Sequence, residues 1–110
     1  MIAASIKKGS AELAILALLA EEPLHGYEIA RRIEQRSGGL LRFTLASLYP
    51  LLYRMEKRDW VRASWQTLPS GRQRRCYQLT PKGRKQAAPL RKEWALFFRA
   101  LHKLAGVSRA

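Results

Sequence analysis

The spacing of apolar residues changes once along the chain, at Trp60, and that change limits what the chain can fold into. Before it, the apolar residues of one segment recur every three or four positions, as on one face of a helix: Leu45, Leu48, Leu52 and Met55. After it, apolar and polar residues alternate with the period of two that is typical of a β-strand. The sequence therefore predicts helices first and strands second.

Two helices are predicted ahead of this segment. The first is rich in alanine and leucine, begins at an N-cap formed by Ser10 and ends near Ala20. The second covers residues 25–36, where Ile29 and Ile33 share one face. Basic residues before an apolar run also occur in secretory signals, but here acidic residues interrupt and follow the run. We therefore expect the first helix to be a buried core helix.

The third predicted helix contains a proline, Pro50. A cap at Ser47 would place Pro50 in the first turn, where a missing N–H costs no intrahelical hydrogen bond. A cap at Thr44 would place it deeper and bend the helix, and the sequence leaves both caps open. In either case the helix ends near Arg58, and the face opposite its apolar residues carries Ala46, Ser47, Tyr49, Pro50, Tyr53, Arg54 and Lys57.

The segment that follows Trp60 predicts a β-hairpin and then a final helix. Alternating residues occur on both sides of a Leu-Pro-Ser-Gly turn at 68–71, and the tip of the hairpin is basic. Thr80 and Pro81 then supply an N-cap and a first helical residue for a last helix that runs toward Leu104.

The positive charge of the chain lies mostly in its second half. Lysine and arginine total 21 against 8 acidic residues, which gives a net charge of +13. Residues 1–59 hold nine cations and seven anions, whereas residues 60–110 hold twelve cations and one anion, Glu93. A basic balance of this size favours polyanionic partners such as nucleic acid or anionic lipid. At 110 residues the chain is one small domain with a limited core, so a partner subunit is also expected.

Three helices followed by a hairpin form the element order of a winged helix-turn-helix, a mainly α (α+β) fold. In that fold the third helix enters the DNA major groove and the hairpin, or wing, contacts the phosphate backbone. Residues 1–80 would form the DNA-binding unit and residues 81–110 a C-terminal dimerisation helix, together one compact unit. The residues expected at double-stranded DNA are Thr44, Ser47, Tyr49, Pro50, Tyr53, Arg54 and Lys57 of the helix and Arg72, Arg74 and Arg75 of the wing.

Three segments of the chain together closely resemble the PadR family of bacterial transcriptional regulators. They are LAILALLAEEPLHGYEIARRIEQRSGG, SLYPLLYRMEKRDWV and RRCYQLTPKGR, and the order HGYEI, LYP, YxLTxxG is more specific than any one piece. The resemblance implies a dimeric winged-helix regulator, usually a repressor, in a short form with a single C-terminal helix. Its two recognition helices would bind the half-sites of a palindromic operator. Two positions depart from the family pattern: Cys76, where an aromatic residue is more usual, and Pro89, which interrupts the dimerisation helix.

The last helix carries an apolar stripe with the 4-3-4-3 spacing of a heptad seam. Such a stripe suits pairing with a second copy of the chain. Its aromatic members could also line an apolar pocket between subunits, and because the resembled family often responds to ligands, a small aromatic effector is considered there. The residues concerned are Leu90, Trp94, Phe97, Leu101 and Leu104, with Phe98 beside them.

The sequence shows no constellation for catalysis or metal binding. Cys76 is the one cysteine, which excludes an intrachain disulfide and fits a reducing, cytoplasmic setting. His25 and Tyr27 have no nucleophile and carboxylate to complete a reactive site, so His25 is expected to start and pack the second helix. No enzyme activity, metal or cofactor is expected. Cys76 is expected to be inert, with oxidant sensing as the alternative because Arg74 and Arg75 are its neighbours.

Two functions from other classes stay open on the sequence. A basic amphipathic helix at a membrane surface is suggested by seven cations in the last helix, although its aromatic residues fall on the heptad seam. A non-specific DNA- or RNA-binding protein is allowed by the charge alone, and for such a protein duplex sequence would hardly matter.

Overall fold

The computed structural model describes residues 4–106, with side chains from residue 10 onward. Within that range the chain forms α1 (Ala4–Leu19), β1 (Leu24–His25), α2 (Gly26–Arg36), α3 (Leu45–Lys57), β2 (Val61–Thr67), β3 (Gln73–Leu79) and α4 (Pro81–Ala105). The predicted mainly α (α+β) winged-helix order is confirmed. No helix in the described range is both long and apolar enough to span a membrane.

The helix α1 is the central core helix, as predicted, but it begins earlier than its sequence suggests. Ser10 lies inside α1 and is not its N-cap, because the preceding residues contain good helix formers and no proline. Ile15, Leu16 and Leu19 are almost completely buried. The helix therefore contributes apolar side chains to the core on several sides.

The core face of α3 differs from the prediction at two positions, Leu45 and Leu51. Leu48, Leu52 and Met55 are fully buried, and Leu51 joins them. Leu45 is 36% exposed, because it is the first residue of the helix and lies beyond the part that packs on the core. The opposite face of α3 is consequently left toward solvent, which decides where the functional surface lies.

The sheet has three strands in the order β1-β3-β2, one more than the predicted hairpin. The extra strand β1 pairs antiparallel with β3, with Leu24 opposite Tyr77 and His25 opposite Cys76. A strand of two residues is too short to show an alternating pattern, so periodicity could not reveal it. Because β3 is the central strand, both Cys76 and Tyr77 are buried although they point to opposite faces.

The junction between the sheet and α4 is closed by Thr80. Its Oγ1 accepts a hydrogen bond from the Gly83 N–H at 3.0 Å and donates to the carbonyl of Asp59, which has a positive φ of 61°. A Cβ at position 83 would lie 2.0 Å from the Trp60 carbonyl oxygen, so only glycine fits there. These contacts explain why a threonine and a glycine three residues apart open this helix.

The helix α4 is continuous from Pro81 to Ala105, so the predicted interruption at Pro89 is wrong. Pro89 has no N–H to donate to the carbonyl of Lys85, but both residues are exposed and water can satisfy that carbonyl. Gly106 then ends the helix in the left-handed region, with φ at 69°.

Candidate nucleic-acid interface

The N-terminus of α3 presents two hydroxyl groups. Thr44 is the N-cap, since its Oγ1 accepts a hydrogen bond from the Ser47 backbone N–H at 3.1 Å. The Ser47 hydroxyl in turn donates to the Thr44 carbonyl at 2.9 Å. Of the two caps that the sequence allowed, the structure therefore has the one at Thr44. Both side chains are exposed at a helix end whose unpaired N–H groups favour negative charge.

With this cap, Pro50 lies in the second turn of α3. It cannot donate a hydrogen bond to the carbonyl of Ala46, four residues earlier. Both residues are exposed, so the freed carbonyl can bond to water instead of being buried without a partner. The proline ring belongs to the exposed face of the helix.

The ring of Tyr49 packs on the backbone at the start of α2. A Cβ added to Gly26 would lie 3.0 Å from Tyr49 Cε1 and 3.2 Å from its hydroxyl oxygen, so the glycine provides space for the ring. The tyrosine is still 46% exposed. The contact therefore holds the phenol at the edge of the exposed face of α3.

The remainder of this face is cationic and aromatic. Tyr53, Arg54 and Lys57 are all exposed, as the helical spacing predicted. The Lys57 ammonium lies 5.0 Å from the centre of the Tyr53 ring, a favourable cation–π distance. Arg54 forms no ion pair with any described residue, so its guanidinium keeps its hydrogen-bond donors for another partner.

The three wing arginines that were predicted together occupy different environments. The turn before them is closed by a hydrogen bond of 2.7 Å from the Leu68 N–H to the Arg72 carbonyl, and the Arg72 side chain is exposed. Arg74 and Arg75 are half-buried. Of these three side chains, only that of Arg75 forms an ion pair with a described residue, because its Nη2 donates to Glu56 Oε2 of α3 at 3.1 Å.

A groove of about 600 Å³ separates α3 and the start of α2 from the wing. Its walls combine flat aromatic rings with guanidinium groups, which is a surface suited to a sugar-phosphate backbone. The side chains that give it this character are Tyr27, Tyr49, Tyr53, Trp65, Arg72 and Arg74.

The acidic residues of the first half are mostly paired with arginines away from this groove. Glu28 binds Arg31 and Arg32, and the two arginines hold the pKa of its carboxyl at about 2, well below the usual range. Further ion pairs join Glu22 to Arg32, Glu21 to Arg36, Glu34 to Arg42 and Glu12 to Arg58. By contrast, Arg54, Arg72 and Arg74 form no ion pair within the described residues. The pairing thus leaves these three arginines of α3 and the wing without an acidic partner among the described residues.

His25 starts α2, as the sequence predicted. Its Nδ1 accepts a hydrogen bond from the Glu28 N–H at 3.3 Å, so the ring acts as the N-cap. An accepting Nδ1 places the proton of the neutral ring on Nε2. Burial, together with the nearby positive charge of Arg74, lowers the pKa of His25. The neutral form that the cap requires is therefore favoured.

Cys76 is buried at the middle of β3. A buried thiol is a poor site for oxidant sensing, which agrees with the expectation that it is inert. Among the residues that the structure describes, no three His, Cys, Asp or Glu side chains come together in a way that could hold a metal ion.

The apolar stripe of α4 is largely uncovered. Leu90, Trp94 and Leu101 are half-buried, while Phe97, Phe98 and Leu104 are exposed, Leu104 by 85%. The ring of Trp94 meets Phe97 edge-on with centroids 5.5 Å apart and lies 5.8 Å from Phe98. A shallow cavity of about 320 Å³ lies between Leu90, Glu93, Trp94 and Phe97.

Several residues that line the groove were not predicted at the interface, among them Tyr27, Glu56 and Trp65. Trp65 continues the alternating face of Val61 and Ala63, but it is 65% exposed because the hairpin extends past the body of the domain. Glu56 could have been identified from the sequence, because it is an acidic residue close to Arg54 and Lys57 on a helix expected to meet DNA. A negative charge there is unfavourable for DNA binding and indicates another role.

Solved structures of transcriptional regulators are similar to this chain. A transcriptional regulator from Clostridium thermocellum has 27% sequence identity and a TM-score of 0.86, covering 96% of this chain and 99% of that chain. A PadR-like transcriptional regulator from Bacillus cereus has 25% identity and a TM-score of 0.78, with coverages of 96% and 100%. Bacillus subtilis PadR, solved in complex with operator DNA, has 22% identity and a TM-score of 0.66 over 72% of this chain and 45% of that chain, which shows likeness of fold.

The match to a protein family agrees with these structures. Residues 15–89, more than half of the chain, match the family described as "Transcriptional regulator PadR-like family". Members of this family are transcriptional regulators and not enzymes, which confirms the expectation drawn from the HGYEI, LYP and YxLTxxG segments. The chain therefore belongs to the PadR-like family of winged-helix, DNA-binding transcriptional regulators.

Proposed function

We propose that the chain is a homodimeric repressor that binds a palindromic operator with one α3 helix in each half-site. The observation that carries this proposal is the exposed face of α3 next to a wing on which Arg72 and Arg74 lack acidic partners among the described residues. Hydroxyl, phenol and guanidinium groups on such a face can bond to base edges in the major groove. That Bacillus subtilis PadR was solved with operator DNA supports the same use of the fold here.

Within this proposal the interface residues divide into two groups. The α3 residues enter the major groove and supply sequence preference, whereas wing residues contact phosphates and supply affinity. The first group is Thr44, Ser47, Tyr49, Pro50, Tyr53, Arg54 and Lys57, and the second is Arg72, Arg74 and Arg75. An operator-binding protein of this kind acts in the cytoplasm, where the operator is.

The second copy of the chain is proposed to pack on the stripe of α4. Exposed large apolar residues at heptad spacing are costly on a small domain and are removed from water when two such helices pair. Residues 1–80 then serve as the DNA-binding unit and residues 81–110 as the dimerisation helix. Residues 1–3 and 107–110 of these units lie outside the described range.

A small aromatic effector is proposed to bind beside Trp94 and Phe97. The cavity at these residues is shallow in one subunit, and a paired helix would enclose it further. Binding there would change the relative position of the two subunits, and with it the distance between the two α3 helices.

The proposal is tested by selecting DNA from a random duplex library with the purified chain. We expect a palindromic consensus, and a reporter gene with that site over its promoter should lose expression when the protein is produced. Equal binding of selected and shuffled duplexes, or stronger binding to anionic vesicles than to the selected duplex, would contradict the proposal.

The dimer is tested separately by sedimentation. Replacing Trp94 and Leu101 together by alanine should give a monomer or an aggregate, whereas Leu40→Ala, which removes an exposed leucine outside the stripe, should leave the dimer intact. A wild-type chain that is monomeric at micromolar concentration would refute pairing through α4.

A further inference from the structure

Glu56 is the one acidic residue among the described residues that line the groove. It lies on α3 between Arg54 and Lys57, at the surface proposed to meet DNA. A carboxylate at such a place repels phosphates, so electrostatics alone would favour its absence. Its position therefore calls for a role other than contact with the nucleic acid.

The carboxylate of Glu56 holds the wing through Arg75. Arg75 Nη2 donates to Glu56 Oε2 at 3.1 Å, and this bond joins α3 to β3 across nineteen positions of the chain. The guanidinium carbon of Arg75 also lies 5.7 Å from the centre of the Trp65 ring. Trp65 and Arg75 are direct partners across the β2–β3 ladder, so their side chains stand on one face of the wing. The guanidinium thus contacts both an α3 carboxylate and a wing indole.

The wing has few other means of fixing its distance from α3. Its outer part, from Trp65 to Gln73, is exposed apart from Leu68, and therefore buries little apolar surface against the domain. Arg72 and Arg74 lie in this outer part or next to it. Their reach toward DNA depends on where the wing stands relative to α3.

We infer that Glu56 is a positioning residue, which sets the distance between the wing and α3 through Arg75 and Trp65. At this distance Arg72 and Arg74 contact phosphates while α3 lies in the major groove. This inference rests on the proposed DNA-binding function. It assigns Arg75 chiefly to a contact within the protein, and it leaves the phosphate contacts of the wing mainly to Arg72 and Arg74.

The direction in which Glu56→Gln changes DNA affinity distinguishes a positioning role from a purely electrostatic effect of the carboxylate. Glu56→Gln removes a negative charge beside DNA and frees Arg75, so both changes would strengthen binding if charge alone mattered. If Glu56 positions the wing, the same change weakens binding to the selected duplex by about threefold to tenfold, as expected for coupled residues in contact. It should also flatten the log–log salt dependence, because the displaced wing touches fewer phosphates.

The matched control is Glu12→Gln. It breaks the ion pair of Glu12 with Arg58, which has nearly the same length at 3.0 Å and also ties the end of α3 to another element, but away from the wing. Affinity for the selected duplex should stay within about twofold of wild type for this variant. Arg75→Lys provides a second test, because it keeps the charge but not the planar fork, and it should weaken binding as Glu56→Gln does.

The double variant and the free protein complete the experiment. Glu56→Gln combined with Arg75→Gln should bind no more weakly than the weaker single variant, since both break one contact. In the free protein, NMR relaxation of the Trp65 indole N–H signal should show faster motion in Glu56→Gln than in wild type. In Glu12→Gln the relaxation of this signal should equal that of wild type. Tighter DNA binding by Glu56→Gln, additive losses, or an unchanged Trp65 signal would each overturn the inference. If the wild-type chain showed no preference among duplexes, the proposed function would fail, while the Trp65 measurement would still decide whether Glu56 holds the wing.

Discussion

The carbonyl oxygen of Trp60 occupies the space into which the Cβ of any other residue at position 83 would project, with a separation of only 2.0 Å. The close approach lies where the end of α3, the start of the wing and the start of α4 meet. The three elements can pack this closely because residue 83 has no side chain.

Gly83→Ala should therefore destabilise the protein, although alanine is the better helix former. We expect a loss of about 1–3 kcal/mol in the free energy of unfolding, because the first turn of α4 must move off the Trp60 carbonyl. Chemical denaturation measures this value, and Lys82→Ala, at the exposed neighbouring position, should change it by less than about 0.5 kcal/mol. A Gly83→Ala protein more stable than wild type would contradict the close approach.

Arg54→Ala should lower discrimination between sequences more than it lowers general affinity. If Arg54 bonds to a base, its removal should cost about 1–3 kcal/mol on the selected duplex and relax one position of the consensus. Repeating the selection with the variant measures both effects. Arg58→Ala is the control, since Arg58 is bound to Glu12 and should not contact a base. An unchanged consensus with equal weakening on all duplexes would make Arg54 a backbone contact.

Arg72→Ala and Arg74→Ala should weaken selected and random duplexes alike. Removing one arginine from its phosphate should flatten the log–log salt dependence of binding by roughly 0.9, because one fewer counterion is released. Titrations at several salt concentrations give this slope. Lys103→Ala, at the far end of α4, should leave it unchanged. A changed base preference at constant slope would be the contrary result.

His25→Asn should remove a pH dependence of stability just below neutrality. The pKa of His25 is lower in the folded protein than its ordinary 6.5, because of burial and Arg74, so the unfolded chain binds a proton more readily. The stabilisation is complete above pH 6.5 and is lost as the pH falls through the folded pKa. Asparagine can also cap α2 but does not titrate.

The measurement for this variant is the free energy of unfolding at about pH 7.5 and about pH 5.5. Wild type and a His102→Gln control should lose stability between the two, and His25→Asn should lose less. Identical losses of stability in all three proteins would show that protonation of His25 does not cause the pH dependence.

Long elements with a regular repeat could be predicted from the sequence. The first helix was predicted from a long run rich in alanine and leucine, and the other helices and the hairpin from apolar residues at a regular spacing. Thr80 was predicted because a cap and a following proline form a local signal. The strand β1 was missed because Leu24 and His25 are too few to show a period. The cap of α3 stayed undecided because Thr44 and Ser47 carry equivalent hydroxyls, and packing decides between them.

The interface was predictable in its surface but not in its internal contacts. Helical spacing alone placed Tyr53, Arg54 and Lys57 on an exposed face, and all three are exposed. The pairing of Glu56 with Arg75 joins residues nineteen positions apart and depends on the tilt of the wing. Such a contact is a property of the tertiary fold, which the local repeat does not encode.

In the proposed dimer, the hydrogen bond from Thr80 to the carbonyl of Asp59 would make α4 a lever between the dimer contact and the end of α3. A helix of 25 residues is about 37 Å long, so tilting it by about 5° about one end displaces the other end by about 3 Å. That is close to the roughly 3.4 Å rise of one base pair. In the proposed dimer, the number of base pairs tolerated between half-sites is then set by the stiffness of α4 and of the joint at Thr80.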